Sequence, residues 1–206
     1  MSKIILVTGD LKTPPPPGFP WPLFLLNVSY ANAVTAAGGL PIMMANTQKA
    51  EEYAEMADGL LITGGEGVHP KYYGETFEHM ADNNEVEIAD MKATGNLPRD
   101  EMEMAVFEAF KARKKPIMGI CRGHQLIGAA TGGKIMLNFP RHHAVEHHMG
   151  IAHMVTATPE SILGRLYGTD FLVNSFHQAC VVSPGPDMLV GARSVDGIIE
   201  SIEHKS

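Results

Sequence analysis

Four short apolar runs mark the first 120 residues: KIILVTG at 3–9, LPIMMA at 40–45, GLLITGG at 59–65 and PIMGI at 116–120. Such continuous runs predict strands buried on both faces, because a strand with one wet face alternates apolar and polar residues. Helical patterns lie between them. VSYANAVTAAGG (28–39) closes on a glycine pair, and Met102, Val106 and Phe110 recur every four residues in RDEMEMAVFEAFKAR. Strands alternating with helices predict an α/β fold: a mostly parallel sheet with helices on both faces. After Gly133 the texture changes to close-spaced strand-like pieces, KIMLNF, IAHMVTA, FLVNS, CVVS, MLVGAR and GIIESIE, with one short helix in PESILGRLYG. These predict hairpins, an antiparallel extension in the C-terminal third.

Two segments break the pattern. LKTPPPPGFPWP (11–22) predicts no regular structure, since its prolines lack backbone donors and favour polyproline II over the surface. The stretch from His69 to Pro98 is long, polar and aperiodic, which in a compact domain marks a functional or mobile loop. Either could overhang a pocket.

Composition narrows the options. A chain of 206 residues predicts a single domain, and 45% hydrophobic with 19% charged residues is ordinary for a soluble protein. A net charge of -7 offers no basic stripe for a phosphate backbone, so no nucleic-acid partner is expected. No apolar run approaches the roughly 20 residues of a membrane span and no secretory leader is legible, which points to the cytoplasm and away from a membrane partner. Cys121 and Cys180, the two cysteines, are too few for a disulfide framework.

Cys121 is where chemistry enters. It follows PIMGI and precedes RGHQLIGAATGG, at the carboxyl end of a predicted strand and the start of a helix. Gly119 and Gly123 flank it in a G-x-C-x-G pattern, the thiol counterpart of a nucleophile elbow. The positive end of a helix dipole favours thiolate, Arg122 could add to that field, and free N–H groups of the first turn, Arg122 first, can meet an oxyanion. The competing reading makes Cys121 a small buried apolar residue.

The chain resembles the class I glutamine amidotransferase-like proteins, and within them the gamma-glutamyl-gamma-aminobutyrate hydrolases of the peptidase C26 group. NVSYANAVTAAGGLPIMM, DGLLITGGEGVHPKYYGE, RDEMEMAVFEAFKARKKPIMGICRGHQLIGAATGG and VNSFHQACVVSPGPDMLVGARSVDGIIESIE match that family's blocks in order. The resemblance implies a flavodoxin-like sheet and attack by Cys121 on a gamma-glutamyl amide, giving a thioester that water hydrolyses. It implies oxyanion donors at Gly64, Gly65 and Arg122. Gln125 falls on a glutamine near the substrate, and Asn174, Ser175, Phe176 and His177 fall on the substrate loop. Glycine suits 64 and 65 because a backbone amide reaches a reacting oxygen only where no side chain intervenes; a plain tight turn after a strand is the other reading of TGG.

The family takes its general base from a histidine in a strand reading like G-V-Q-W-H-P-E. DGIIESIE here is followed by HKS, and no H-P-E occurs up to Ser206. Continuation of the natural chain past Ser206 is the leading expectation. Substitution by a local histidine, His177 first with Glu200 as reserve carboxylate, and loss of catalysis are the alternatives.

His142, His143, His147, His148 and His153 crowd one segment, but adjacent histidines point different ways on a regular element, so a solvated loop is expected and no metal. Cys180, in ACVVS, reads as a buried packing residue, and the methionines Met43, Met44 and Met118 read as core positions. No cofactor is expected. The function read from the sequence is a cytoplasmic hydrolase of gamma-glutamyl amides, with an amine such as gamma-aminobutyrate, or ammonia from glutamine, as leaving group. A homodimer stays open. The rivals are a glutaminase subunit passing ammonia to a synthase partner and a catalytically inactive gamma-glutamyl binding protein.

Overall fold

A computed structural model of the chain describes residues 1–45, 48–79, 96–137, 145–147, 150–177 and 179–205, with backbone alone at 145–147, 150 and 151. Two compact units emerge: Met1–His69 with Gly95–Leu126, and Pro70–Thr94 with Ile127–Ser206.

The first unit begins with β1 (Ile4–Val7), the hairpin strands β2 (Asp10–Lys12) and β3 (Leu23–Leu25), helix α1 (Val28–Ala36) and β4 (Leu40–Met43). It continues through α2 (Ala50–Met56), β5 (Gly59–Ile62), α3 (Leu97–Ala112), β6 (Ile117–Gly119) and the start of α4 (Arg122–Ala130). The four apolar runs become β4, β1, β5 and β6, side by side in that order and all parallel. Chain direction across the sheet reverses between β1 and β5: β1 leads to β4 on one side, and the chain then returns to β5 on the other. In an open α/β sheet the crevice beyond the carboxyl ends of the strands at such a switch is where ligands sit.

Packing follows the pattern at the centre of the sheet, whereas the expected burial on both faces fails for the outer strands β4 and β6, none of whose residues is buried. Leu6, Val7, Leu60 and Ile62 are buried in the sheet, and Met102, Val106 and Phe110 of α3 are buried with them. Each such side chain contributes roughly 1.5–3 kcal/mol on leaving water. Asn96 caps α3, its side-chain oxygen accepting from the Arg99 N–H at 3.2 Å, and Pro98 sits in the first turn, where its missing donor costs nothing. The expectation for 11–22 needs correction at its start. Leu11 and Lys12 belong to β2, because the residues ahead of Pro14 keep their N–H groups and can ladder with Phe24 and Leu23, leaving the prolines in the connection. Of the long 69–98 segment, Pro70–Tyr73 forms a 3-10 turn and Leu97 opens α3, while 80–95 lies outside the described residues.

The second unit holds the antiparallel extension: β7 (Lys134–Leu137), β8 (Val145–His147), β9 (Gly150–Ala157), helix α5 (Ile162–Tyr167), β10 (Asp170–Asn174), β11 (Ala179–Ser183), β12 (Met188–Ser194) and β13 (Ile199–His204). The strands run in the order β10, β9, β12, β13, β11, β7, with β8 added beside β9. Along β9, Val155 and Ala157 are buried while Met154 and Thr156 are exposed, the period of two expected of a half-wet sheet. Val155, Ala157 and Ala192 form a small core with Leu163, Phe171 and Val173 packed on it. Among the described residues, no helix is long and apolar enough to cross a membrane.

Candidate active site

Cys121 sits between β6 and α4, half-buried, with φ at 55°. A left-handed backbone at a residue other than glycine is sparsely populated and costs of order 1 kcal/mol or more, so surrounding structure must hold it there. What holds it is close packing around the turn. The Gly123 N–H donates to the Ile120 carbonyl at 2.9 Å, the Ile120 N–H donates to Ile62 at 3.0 Å, and a Cβ at Gly123 would overlap the Ile62 carbonyl oxygen. The predicted elbow is therefore present in the backbone.

The glycine pair lies beside it. A Cβ on Gly64 would stand 3.4 Å from the Cys121 Cβ. The Gly64 N–H donates to the Tyr30 hydroxyl at 3.0 Å, so this amide already has an acceptor. Among the described residues, neither the Gly65 nor the Arg122 backbone N–H finds an intramolecular acceptor. Gly65 has φ at 154°, and a Cβ there would run into the Arg99 guanidinium. Glycine is required at 65 by close approach as well as by conformation.

Beneath the pair lies a buried ionic network supplied mainly by α3. Arg99 donates through Nη2 to the Thr63 carbonyl at 3.2 Å and the Gly64 carbonyl at 3.0 Å, and through Nε to Glu103 at 3.0 Å. Glu103 also accepts from the Thr8 hydroxyl at 2.6 Å. Arg122 donates to both Glu103 and Asp100, and Asp100 accepts from the His69 N–H at 2.9 Å. Arg99, Asp100, Glu103 and Arg122 are all buried, two cations against two anions. Burial pushes the Asp100 carboxyl up against the opposing pull of Arg122, while the two carboxylates raise Arg122 despite its own burial. The suggestion that the Arg122 side chain supplies free positive charge to the thiol is thus corrected: its charge is neutralised by two carboxylates. Its backbone N–H, without an acceptor among the described residues, is the group it offers an oxyanion.

Gln125 lies buried on α4, its N–H donating to the Cys121 carbonyl at 3.2 Å. Cys121, Arg122, Gly64, Gly65 and Gln125 thus all fall in the first unit, whereas Asn174, Ser175, Phe176, His177 and Glu200 fall in the second. In the second unit Ser175 is buried and Asn174 and Phe176 are exposed. His177 turns Nδ1 to the Ala179 carbonyl at 3.0 Å and Nε2 to Glu200 at 3.6 Å. Burial lowers this imidazole, but Glu200 and the Ala179 carbonyl outweigh it and hold it above its ordinary value. Glu200 is half-buried on β13, with His153 on its other oxygen at 3.6 Å. His142, His143 and His148 lie outside the described residues, as does the His147 side chain. Cys180 is buried on β11, and burial together with the nearby Glu200 charge pushes its thiol up to about 11. Met44 is buried, whereas Met43 and Met118, also expected in the core, are exposed; Met43 closes β4 and Met118 is the middle residue of β6, the two outer strands of the sheet. Tyr30, Arg99, Asp100 and Glu103 are the participants that residue patterns did not mark.

Over 185 residues the chain is 30% identical to Protein NtpR of Enterococcus hirae, covering 84% of this chain and 72% of that one. Over 195 residues it is 31% identical to the gamma-glutamyl-gamma-aminobutyrate hydrolase PuuD of Escherichia coli K12, covering 86% and 72%. In fold it is similar to a glutamine amidotransferase from Thermotoga maritima, with a TM-score of 0.62 and 12% identity over 99% of this chain and 72% of that one. The profile of the Peptidase C26 family matches residues 23–206, and the chain belongs to that family.

Proposed function

We propose that the protein hydrolyses gamma-glutamyl amides through a thioester on Cys121. The observation that carries this reading is the strained cysteine beside Gly64, with the Gly65 and Arg122 amides unclaimed by other acceptors among the described residues. The Cys121 sulfur attacks the amide carbonyl carbon, and the carbonyl π pair moves to oxygen, where the Gly65 and Arg122 N–H groups stabilise it; Gly64 completes that loop. The oxyanion collapses, the C–N bond breaks, and the amine leaves with a proton. Water then adds to the thioester, and loss of the sulfur releases the gamma-carboxylate and regenerates the cysteine. The family resemblance is what assigns binding of the glutamyl part to Gln125 and to the loop Asn174, Ser175, Phe176 and His177. No step calls for a cofactor.

Preorganised amides are worth about 10²–10³ in rate for each donor, and holding them is the task this reading gives to the α3 network. Protonating the amine and deprotonating the water require an acid–base group, which the family resemblance places in an H-P-E strand. The gene sequence following codon 206 tests that directly.

The preferred substrate is gamma-glutamyl-gamma-aminobutyrate, the compound named for the Escherichia coli relative. Incubated with it, the wild type is expected to release gamma-aminobutyrate and to carry a glutamyl adduct on Cys121 by mass spectrometry. Cys121→Ser should lose about 10³-fold or more of kcat/KM at unchanged circular dichroism. Turnover that survives Cys121→Ser would refute the reading.

A further inference from the structure

In the second unit, three proton-accepting side chains converge. His153 on β9, His177 in the turn before β11 and Glu200 on β13 place one ligand atom each within 4.8 Å of one another. His177 Nδ1 lies 3.0 Å from the Ala179 carbonyl and His153 Nδ1 lies 3.3 Å from the Met154 carbonyl. A carbonyl oxygen only accepts, so both rings carry hydrogen on Nδ1, and in the neutral tautomer both direct an Nε2 lone pair at Glu200. The second-shell bond from the far ring nitrogen to a carbonyl is the arrangement that orients metal-binding histidines.

We propose that His153, His177 and Glu200 bind one divalent transition-metal ion of the zinc class. Spacing admits an ion in place of a shared proton. A proton between imidazole and carboxylate draws the heavy atoms to about 2.7–2.9 Å. Each histidine Nε2 here stands 3.6 Å from its own Glu200 oxygen. Ligands about 2.1 Å from a tetrahedral ion lie about 3.4 Å apart. The two 3.6 Å distances reach different Glu200 oxygens, and one atom from each residue lies within 4.8 Å of the others, so a small closure of the three side chains would seat an ion. Imidazole with carboxylate suits zinc, iron, cobalt and nickel rather than calcium or magnesium, and three protein donors leave a fourth position for water or a ligand. His153 is 3% exposed, which keeps the ion out of bulk solvent. Filling the site would tie β9, β13 and the 174–177 loop together, with His177 anchoring that loop. The site shares His177 with the loop proposed to bind the glutamyl part, but it uses no group of the Cys121 elbow.

The test uses the full chain stripped with a chelator, titrated with zinc by calorimetry and with cobalt(II) by visible absorption. The expected result is one equivalent, low-symmetry cobalt bands, and a rise in Tm with zinc. Glu200→Gln, which keeps the shape of the side chain, should weaken zinc binding at least about 10-fold and remove most of the Tm rise. His153→Asn should behave likewise; if it fails to fold, Glu200→Gln decides the matter. His142→Ala with His143→Ala and His148→Ala, and separately Cys121→Ser, should leave the affinity unchanged. No binding, binding undiminished in Glu200→Gln, or binding lost with the 142–148 histidines or with Cys121 would overturn the site.

Discussion

A methyl group at position 123 would collide with the Ile62 carbonyl oxygen of β5, so the absence of a side chain there is what lets α4 start directly against the sheet. The same contact holds the Ile120–Gly123 turn in which Cys121 takes its left-handed φ. Gly123→Ala is therefore expected to destabilise the protein by about 1–3 kcal/mol, read as a lower urea midpoint at unchanged m-value. An unchanged midpoint would mean that the elbow does not depend on this approach. The cysteine itself was legible in the sequence because an elbow is local: a strand end, a small residue on either side and a helix start all fall within a few positions. The acceptor of the Gly64 amide was not. Tyr30 lies 34 positions away, and no spacing rule connects a tyrosine on the first helix to an amide after β5.

Among the elements, α3 shows most clearly where patterns stop being informative. Met102, Val106 and Phe110 marked its apolar stripe, and all three are buried. Arg99, Asp100 and Glu103 share that burial, although residue type alone would place them in water. They are inside because each meets partners far along the chain: Thr8 and Thr63 at the ends of β1 and β5, the His69 amide, and Arg122 at the start of α4. Strands were legible because each is a short continuous apolar run, but burial on both faces along the whole strand holds for β5 alone among the four, and the outer strands β4 and β6 carry the same apolar texture with no residue buried. Removing the charge at one node should expose the role of the network. Glu103→Gln leaves two buried guanidinium groups undercompensated, at a cost of about 3–5 kcal/mol in urea unfolding. Where the variant still folds, the account expects kcat for a gamma-glutamyl amide to fall more than KM rises, because the loops carrying the Gly65 and Arg122 amides lose their anchor. A pure KM effect would assign the network to substrate binding instead.

For the whole molecule, the two cysteines offer an internal comparison, since they lie in different units and in different surroundings. Cys180 is buried on β11 with its thiol pushed up to about 11, so near pH 8 only about one molecule in a thousand carries the thiolate there. Its alkylation should be slow in the folded protein, rise steadily with pH toward that value, and become fast on unfolding. Cys121 is half-buried at the elbow and is the residue on which the proposed reaction rests. The most direct measurement is peptide-resolved mass spectrometry after timed exposure of the native protein, near neutral pH, to iodoacetamide and separately to a gamma-glutamyl chloroketone. The account predicts that Cys121 is carbamidomethylated at least about 10²-fold faster than Cys180 and takes up one equivalent of the glutamyl reagent, with gamma-glutamyl substrate protecting it. Equal and slow labelling of both thiols, or glutamyl labelling anywhere other than Cys121, would contradict it.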